Sequence, residues 1–181
     1  MGTRTTLASL AATLLLLLPL SARARPVTSG LSSSSAGAST EDRQRAPARR
    51  LEQLEDGPGF RVTNPAHAYG APLTLLRLRQ ALARYHARYP EAPTLLIMDL
   101  SRRGGGRLRP HASHRAGRDV DVRLILNRQT SRLVDASART LDAERTWFLV
   151  SALIEGGDVE YVFLNRRLQQ PLYRQAAQSL D

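Results

Sequence analysis

Large apolar residues recur at two different periods along the chain, and the switches between them mark its elements. Leu75, Leu78, Leu82, Tyr85 and Tyr89 return every three or four positions, which gathers them on one face of a helix, while Arg77, Arg79, Arg84 and Arg88 occupy the other faces. Thr94 to Leu100 is instead a nearly continuous apolar run interrupted by Asp99, as expected of a buried strand. Val120 to Leu126 alternates and is rich in Val, Leu and Ile, and Val159 to Leu164 is a further short run, so both predict strands. The turn residues Gly57-Pro58-Gly59 lead into another strand through Phe60 to Thr63. A helix is expected from Leu141 to Glu155, with Thr140 as N-cap, Trp147, Leu149 or Val150, and Ile154 packing inward, and Gly156 and Gly157 ending it. The last segment, Leu168 to Leu180, reads as helical; Pro171 lacks a backbone N–H and predicts a first turn or a break there. Strands interleaved with helices on this scale predict an α+β fold, with a small mixed or antiparallel sheet and the helices packed to one side.

The N-terminal part has a different pattern. Arg4 precedes an apolar stretch from Leu7 to Leu20, followed by Ala22, Arg23 and Ala24. This is the layout of a secretory signal peptide cleaved after Ala24, with an apolar run too short and too early for a membrane span. Residues 25–50 are Ser, Ala, Thr and Arg with almost no large apolar side chains, so they predict a disordered linker. Residues 51–181 then form one domain of ordinary size.

Composition narrows the chemistry. Cysteine is absent, which leaves neither a disulfide framework nor a thiolate metal site, so any zinc must be held by imidazole and carboxylate. Only four histidines are available: His67, His86, His111 and His114. All 26 basic residues are arginine, and the net charge of +10 divides evenly between the first 50 residues and the remainder. The domain is therefore moderately basic, suited to an anionic wall polymer. No aromatic residues interleave the arginines, which argues against nucleic-acid binding.

Two of the four histidines and two carboxylates fall in one short segment, Pro110-His111-Ala112-Ser113-His114-Arg115-Ala116-Gly117-Arg118-Asp119-Val120-Asp121. If the chain turns at Gly117 and enters a strand near Asp119, Asp119 and Asp121 project from one face while Val120 enters the opposite layer. His114 could fold back over that face, so that an imidazole and a carboxylate converge as metal ligands, with His111 or Asp119 orienting them. The same pattern also suits a polar loop and a strand whose acids pair with Arg115, Arg118 or Arg123. His67 and His86 lie outside the segment, and His86 reads as a helix-surface residue. Gly104-Gly105-Gly106 is followed by neither the Lys nor the helix start of a P-loop, and reads as an active-site rim.

The string His111-Ala112-Ser113-His114-x-x-Gly117-x-Asp119-Val120-Asp121 resembles the signature of the penicillin-insensitive murein endopeptidases, zinc peptidases related to D-Ala-D-Ala carboxypeptidases and lysostaphin-like peptidases. Gly59 to Asn64, Leu75 to Tyr89, Met98-Asp99-Leu100-Ser101 and Tyr161 to Asn165 with Leu168 are similar to that family's flanking blocks, extending the resemblance over roughly residues 55–175. It implies an exported, periplasmic enzyme that hydrolyses the D-alanyl-meso-diaminopimelyl cross-links of peptidoglycan. Its Zn2+ is then held by His114 and Asp121, with His111 a further metal-site residue and Ser113 and Asp119 in support. The resemblance also implies a late His-x-His pair, whereas no histidine follows His114. The expectation is of a chain short of the family's C-terminal part, with a noncatalytic peptidoglycan-binding relative as the alternative to an enzyme.

Overall fold

A computed structural model describes residues 13–17, 50–127 and 136–179 of the protein. The linker expected at 25–50 lies outside them except for Arg50. The strands are β1 (Thr13–Leu17), β2 (Glu52–Gln53), β3 (Phe60–Val62), β4 (Tyr69–Gly70), β5 (Leu95–Ile97), β6 (Asp119–Arg123) and β7 (Tyr161–Phe163). The helices are α1 (Pro72–Arg88), α2 (Ala143–Ile154) and α3 (Arg166–Gln178), with a 3-10 turn at Pro65–His67. The main sheet runs in the order β3-β5-β6-β1-β7, and β2 pairs with β4 in a separate ribbon. β3 and β5 are parallel, with α1 in the crossover between them, and the other pairs are antiparallel. The fold is α+β with a mixed sheet, as the sequence pattern predicts.

One apolar layer joins sheet and helices. The predicted stripe Leu75, Leu78, Leu82 and Tyr85 of α1 is buried, and it belongs to one core with Phe60, Val62, Leu95, Ile97, Val120 and Val122 from the strands. Leu149, Val150 and Leu153 of α2 and Leu168 and Leu172 of α3 complete that core. Val120 and Val122 therefore commit one face of β6 to the helices, and the alternation of a strand turns Asp119 and Asp121 to the other face.

Several details differ from the sequence reading. The N-cap of α2 is Asp142, whose side chain accepts from Arg145 N, while Thr140 Oγ1 is engaged with Ser137. A carboxylate at that position also complements the positive end of the helix dipole. The inward positions of α2 are Thr146, Leu149, Val150 and Leu153, with Trp147 partly buried against the core, whereas Ile154 is 38% exposed; the helix begins two residues later than the pattern suggested. Pro171 neither starts nor breaks α3; it sits inside the helix between the buried anchors Leu168 and Leu172. Packing there outweighs one missing backbone hydrogen bond.

Thr13–Leu17, inside the apolar stretch assigned to the export leader, forms a strand between β6 and β7. Leu15 is the Cα partner of Asp121 on one side and of Phe163 on the other. No helix among the described residues is long and apolar enough to cross a membrane.

Candidate metal centre

The site lies where the loop 101–118 returns to the sheet. Gly117 makes the turn with φ +65°, and its carbonyl accepts from Ala71 N at 2.8 Å, pinning the loop to the start of α1. A Cβ at Gly117 would stand 2.7 Å from Ala71 N and 2.8 Å from the Gly70 Cα, so close backbone approach as well as the left-handed conformation requires glycine. Two residues later the chain enters β6, and backbone bonds fix its register. Met98 N donates to Asp121 O at 2.8 Å, and Asp121 N donates to Asp99 O at 2.9 Å.

His114 folds back over this strand and is buried, 1% exposed. Its Nδ1–H donates to the Leu100 carbonyl at 2.7 Å, which leaves the lone pair on Nε2. That nitrogen is 3.3 Å from Asp121 Oδ1 but off the hydrogen-bond direction, and it has no hydrogen-bond partner. His111 stacks at a tilt on His114, with ring centroids 4.3 Å apart. Its Nδ1 lies 3.7 Å from Asp121 Oδ2, and its Nε2 is 3.1 Å from Asp99 Oδ2. One ligand atom from each of His111, His114 and Asp121 lies within 4.8 Å of the others.

A buried imidazole nitrogen with a free lone pair is costly unless something accepts it. Two imidazoles and a carboxylate within 4.8 Å of one another could meet that need by holding a cation, and the donor set suits zinc-type chemistry. Were all three to bind one ion, a tetrahedral shell would keep one position for another ligand, as catalytic rather than structural sites do. Burial alone would depress the pKa of His114, but the Asp121 carboxylate beside it, with the Asp119 charge behind, outweighs burial and raises it. Burial pushes the Asp119 carboxyl up to about 6, against the opposing charges of His114 and Arg118.

Of the residues singled out in the sequence, His111, His114 and Asp121 meet directly, and Asp119 is buried on the same strand one register step away. Ser113 stands apart: it is exposed, and its backbone carbonyl accepts from Arg115 N. His86 packs against Gly59 on α1, outside the cluster. His67, set aside in the sequence, reaches the site indirectly, with Nδ1 2.8 Å from Asp99 Oδ1. Asp99 was also missed as a site residue. Its signal was a carboxylate interrupting an apolar strand, and its partners are 12 and 32 residues away in sequence.

On this α+β scaffold, His111, His114 and Asp121 form a group that could hold a metal ion beside the sheet. The chain matches the family model of penicillin-insensitive murein endopeptidases over residues 48–179 and belongs to that family. No curated protein matches it. Family membership makes it a murein endopeptidase-like protein of the peptidase hydrolases, acting on the cell wall.

Proposed function

We propose that this chain is a zinc-dependent endopeptidase that hydrolyses D-alanyl-meso-diaminopimelyl cross-links of peptidoglycan in the periplasm. The observation that carries the reading is the buried, unpartnered Nε2 of His114 facing Asp121, with His111 closing the cradle. His111, His114 and Asp121 would hold the ion. When bound, zinc supplies a Lewis acid that polarises a carbonyl and acidifies water. The chain's own residues prepare the site for it. The Leu100 carbonyl fixes the His114 tautomer, and backbone bonds to Met98 and Asp99 fix Asp121.

The leader expected at residues 1–24 supports export, and its removal would take β1 out of the sheet and separate β6 from β7. The test is cleavage of a purified cross-linked muropeptide dimer by the 181-residue chain, with chelation abolishing product and added zinc restoring it.

A second reading, a noncatalytic peptidoglycan-binding module, is favoured by one observation. Both site histidines are committed as ligands, His67 faces Asp99 and His86 packs against Gly59, so no free imidazole stands by as a base. That reading expects sacculus binding that survives chelation and His114→Ala, with no cleavage of the dimer.

A further inference from the structure

Asp99 follows the last residues of β5, on a strand already tied to Asp121 by two backbone hydrogen bonds. Its carboxylate spans two histidines: Oδ1 is 2.8 Å from His67 Nδ1 and Oδ2 is 3.1 Å from His111 Nε2. An ionised carboxylate only accepts, so each imidazole presents its N–H to Asp99. For His111 this places the proton on Nε2 and leaves the Nδ1 lone pair on the side of Asp121, 3.7 Å from Oδ2. His114 is treated in the same way by a different acceptor, because the Leu100 carbonyl takes its Nδ1–H and frees Nε2. The two rings thus use opposite nitrogens toward the same carboxylate, and each is set by a partner on the segment after β5.

His67 completes the arrangement from the other side. The 3-10 turn that carries it is capped by the Asn64 side chain, and the His67 carbonyl accepts from Leu100 N at 2.9 Å. His67 is thereby fixed to the same strand segment as Asp99. Asn64 Nδ2 also lies 2.9 Å from His67 Nδ1, and with that nitrogen's proton directed to Asp99 the amide faces a second donor and adds no bond there.

We propose that Asp99 is a positioning residue for the metal cradle, its two oxygens spanning His67 and His111 so that His111 holds the tautomer whose Nδ1 faces Asp121. The inference rests on the metal reading above for its consequence, but its geometric content is the tautomer itself. A carboxylate behind a ligating imidazole fixes ring orientation and raises ligand basicity, and losing such a partner weakens metal binding by about 10- to 100-fold.

Two readouts on the full chain test it, neither requiring activity. The first is the nitrogen NMR signature of His111 in the metal-free protein under mildly alkaline conditions, where neutral tautomers are distinguished directly. The proposal expects the Nε2–H form in the wild type and its loss in Asp99→Asn, whose amide can turn a donor toward the ring. The second is zinc affinity by competition with a chromophoric chelator, expected to fall about 10- to 100-fold in Asp99→Asn. A smaller loss is expected in His67→Ala, which leaves the Asp99–His111 contact in place.

A wild-type His111 in the Nδ1–H form overturns the proposal without any variant, so misfolding of Asp99→Asn does not protect it. Unchanged tautomer and affinity in a folded Asp99→Asn overturn it while leaving the metal reading intact. A wild type that binds no zinc but shows the Nε2–H form, lost in the variant, removes the metal reading and keeps Asp99 as the residue that sets His111.

Discussion

His114 Nε2 faces Asp121 Oδ1 across 3.3 Å in a buried setting, while the other nitrogen of the same ring is already bonded to the Leu100 carbonyl. His114 Nε2 has no other hydrogen-bond partner and Asp121 otherwise faces only His111, 3.7 Å away, among the ion pairs of the described residues, so the pair can share either a proton or a cation. The proton and the metal therefore compete for one nitrogen.

That competition sets a pH dependence. Burial opposes the charged form of His114, yet the adjacent Asp121 carboxylate prevails and raises its pKa above 6.5. In the metal-free chain the stabilising proton is fully held below that ordinary value and is lost as pH rises through the folded-state one. Zinc affinity should accordingly begin to fall on acidification above pH 6.5, before an ordinary histidine would protonate. Competition titrations across pH would show this, and a flat affinity through the histidine range would count against His114 as a ligand.

Asp119 adds a pH dependence of the same sign, here set chiefly by burial against the charges of His114 and Arg118. Its carboxyl is pushed from 3.8 to about 6 by burial, so the folded state of the metal-free chain holds that proton more tightly than the unfolded state. The contribution is fully present below pH 3.8 and is lost as pH rises through about 6. The shift corresponds to about 3 kcal/mol at ~1.4 kcal/mol per unit. Denaturant melts in chelator should show stability declining across that window in the wild type, with the decline reduced in Asp119→Asn.

Gly117→Ala should destabilise the fold and disrupt the cradle together. The residue has φ +65°, and a Cβ would meet backbone atoms of Gly70 and Ala71 that cannot swing aside. A non-glycine residue in a sparsely populated conformation costs about 1–3 kcal/mol before any clash is counted. The expected result is a loss at or above that range in chemical denaturation, with weakened zinc binding. A neutral substitution would show that the turn into β6 is more adaptable than this packing implies.

Tyr85 is a core residue whose hydroxyl is buried without a hydrogen-bond partner, and burial pushes its pKa up to about 12. An unsatisfied buried polar group costs about 1–3 kcal/mol. Tyr85→Phe should therefore be neutral or stabilising by about 1 kcal/mol. A loss of more than that in thermal or denaturant unfolding would mean that the hydroxyl has a partner in solution.

The α1 stripe was legible because helix periodicity is local, and so was the turn at Gly117 into a strand with both acids on one face. The meeting of His111, His114 and Asp121 was legible because they lie within eleven residues and resemble a family motif. Asp142 as the α2 cap was not, since its advantage over Thr140 depends on Ser137 engaging the threonine. Asp99 and His67 were not legible for a topological reason. Their meeting depends on β5 lying beside β6 and on Leu100 bonding back to the His67 carbonyl, and neither relation is encoded at a fixed spacing.

The most direct test of the metal centre is zinc stoichiometry of the purified chain after dialysis against a weak chelator, with His114→Ala carried through in parallel. The structure predicts one zinc per wild-type chain, with the loss in the variant exceeding the ~100-fold weakening expected from removing an outer partner. A wild type that retains no zinc, or a variant that retains as much as the wild type, contradicts the assignment of His111, His114 and Asp121 as its ligands.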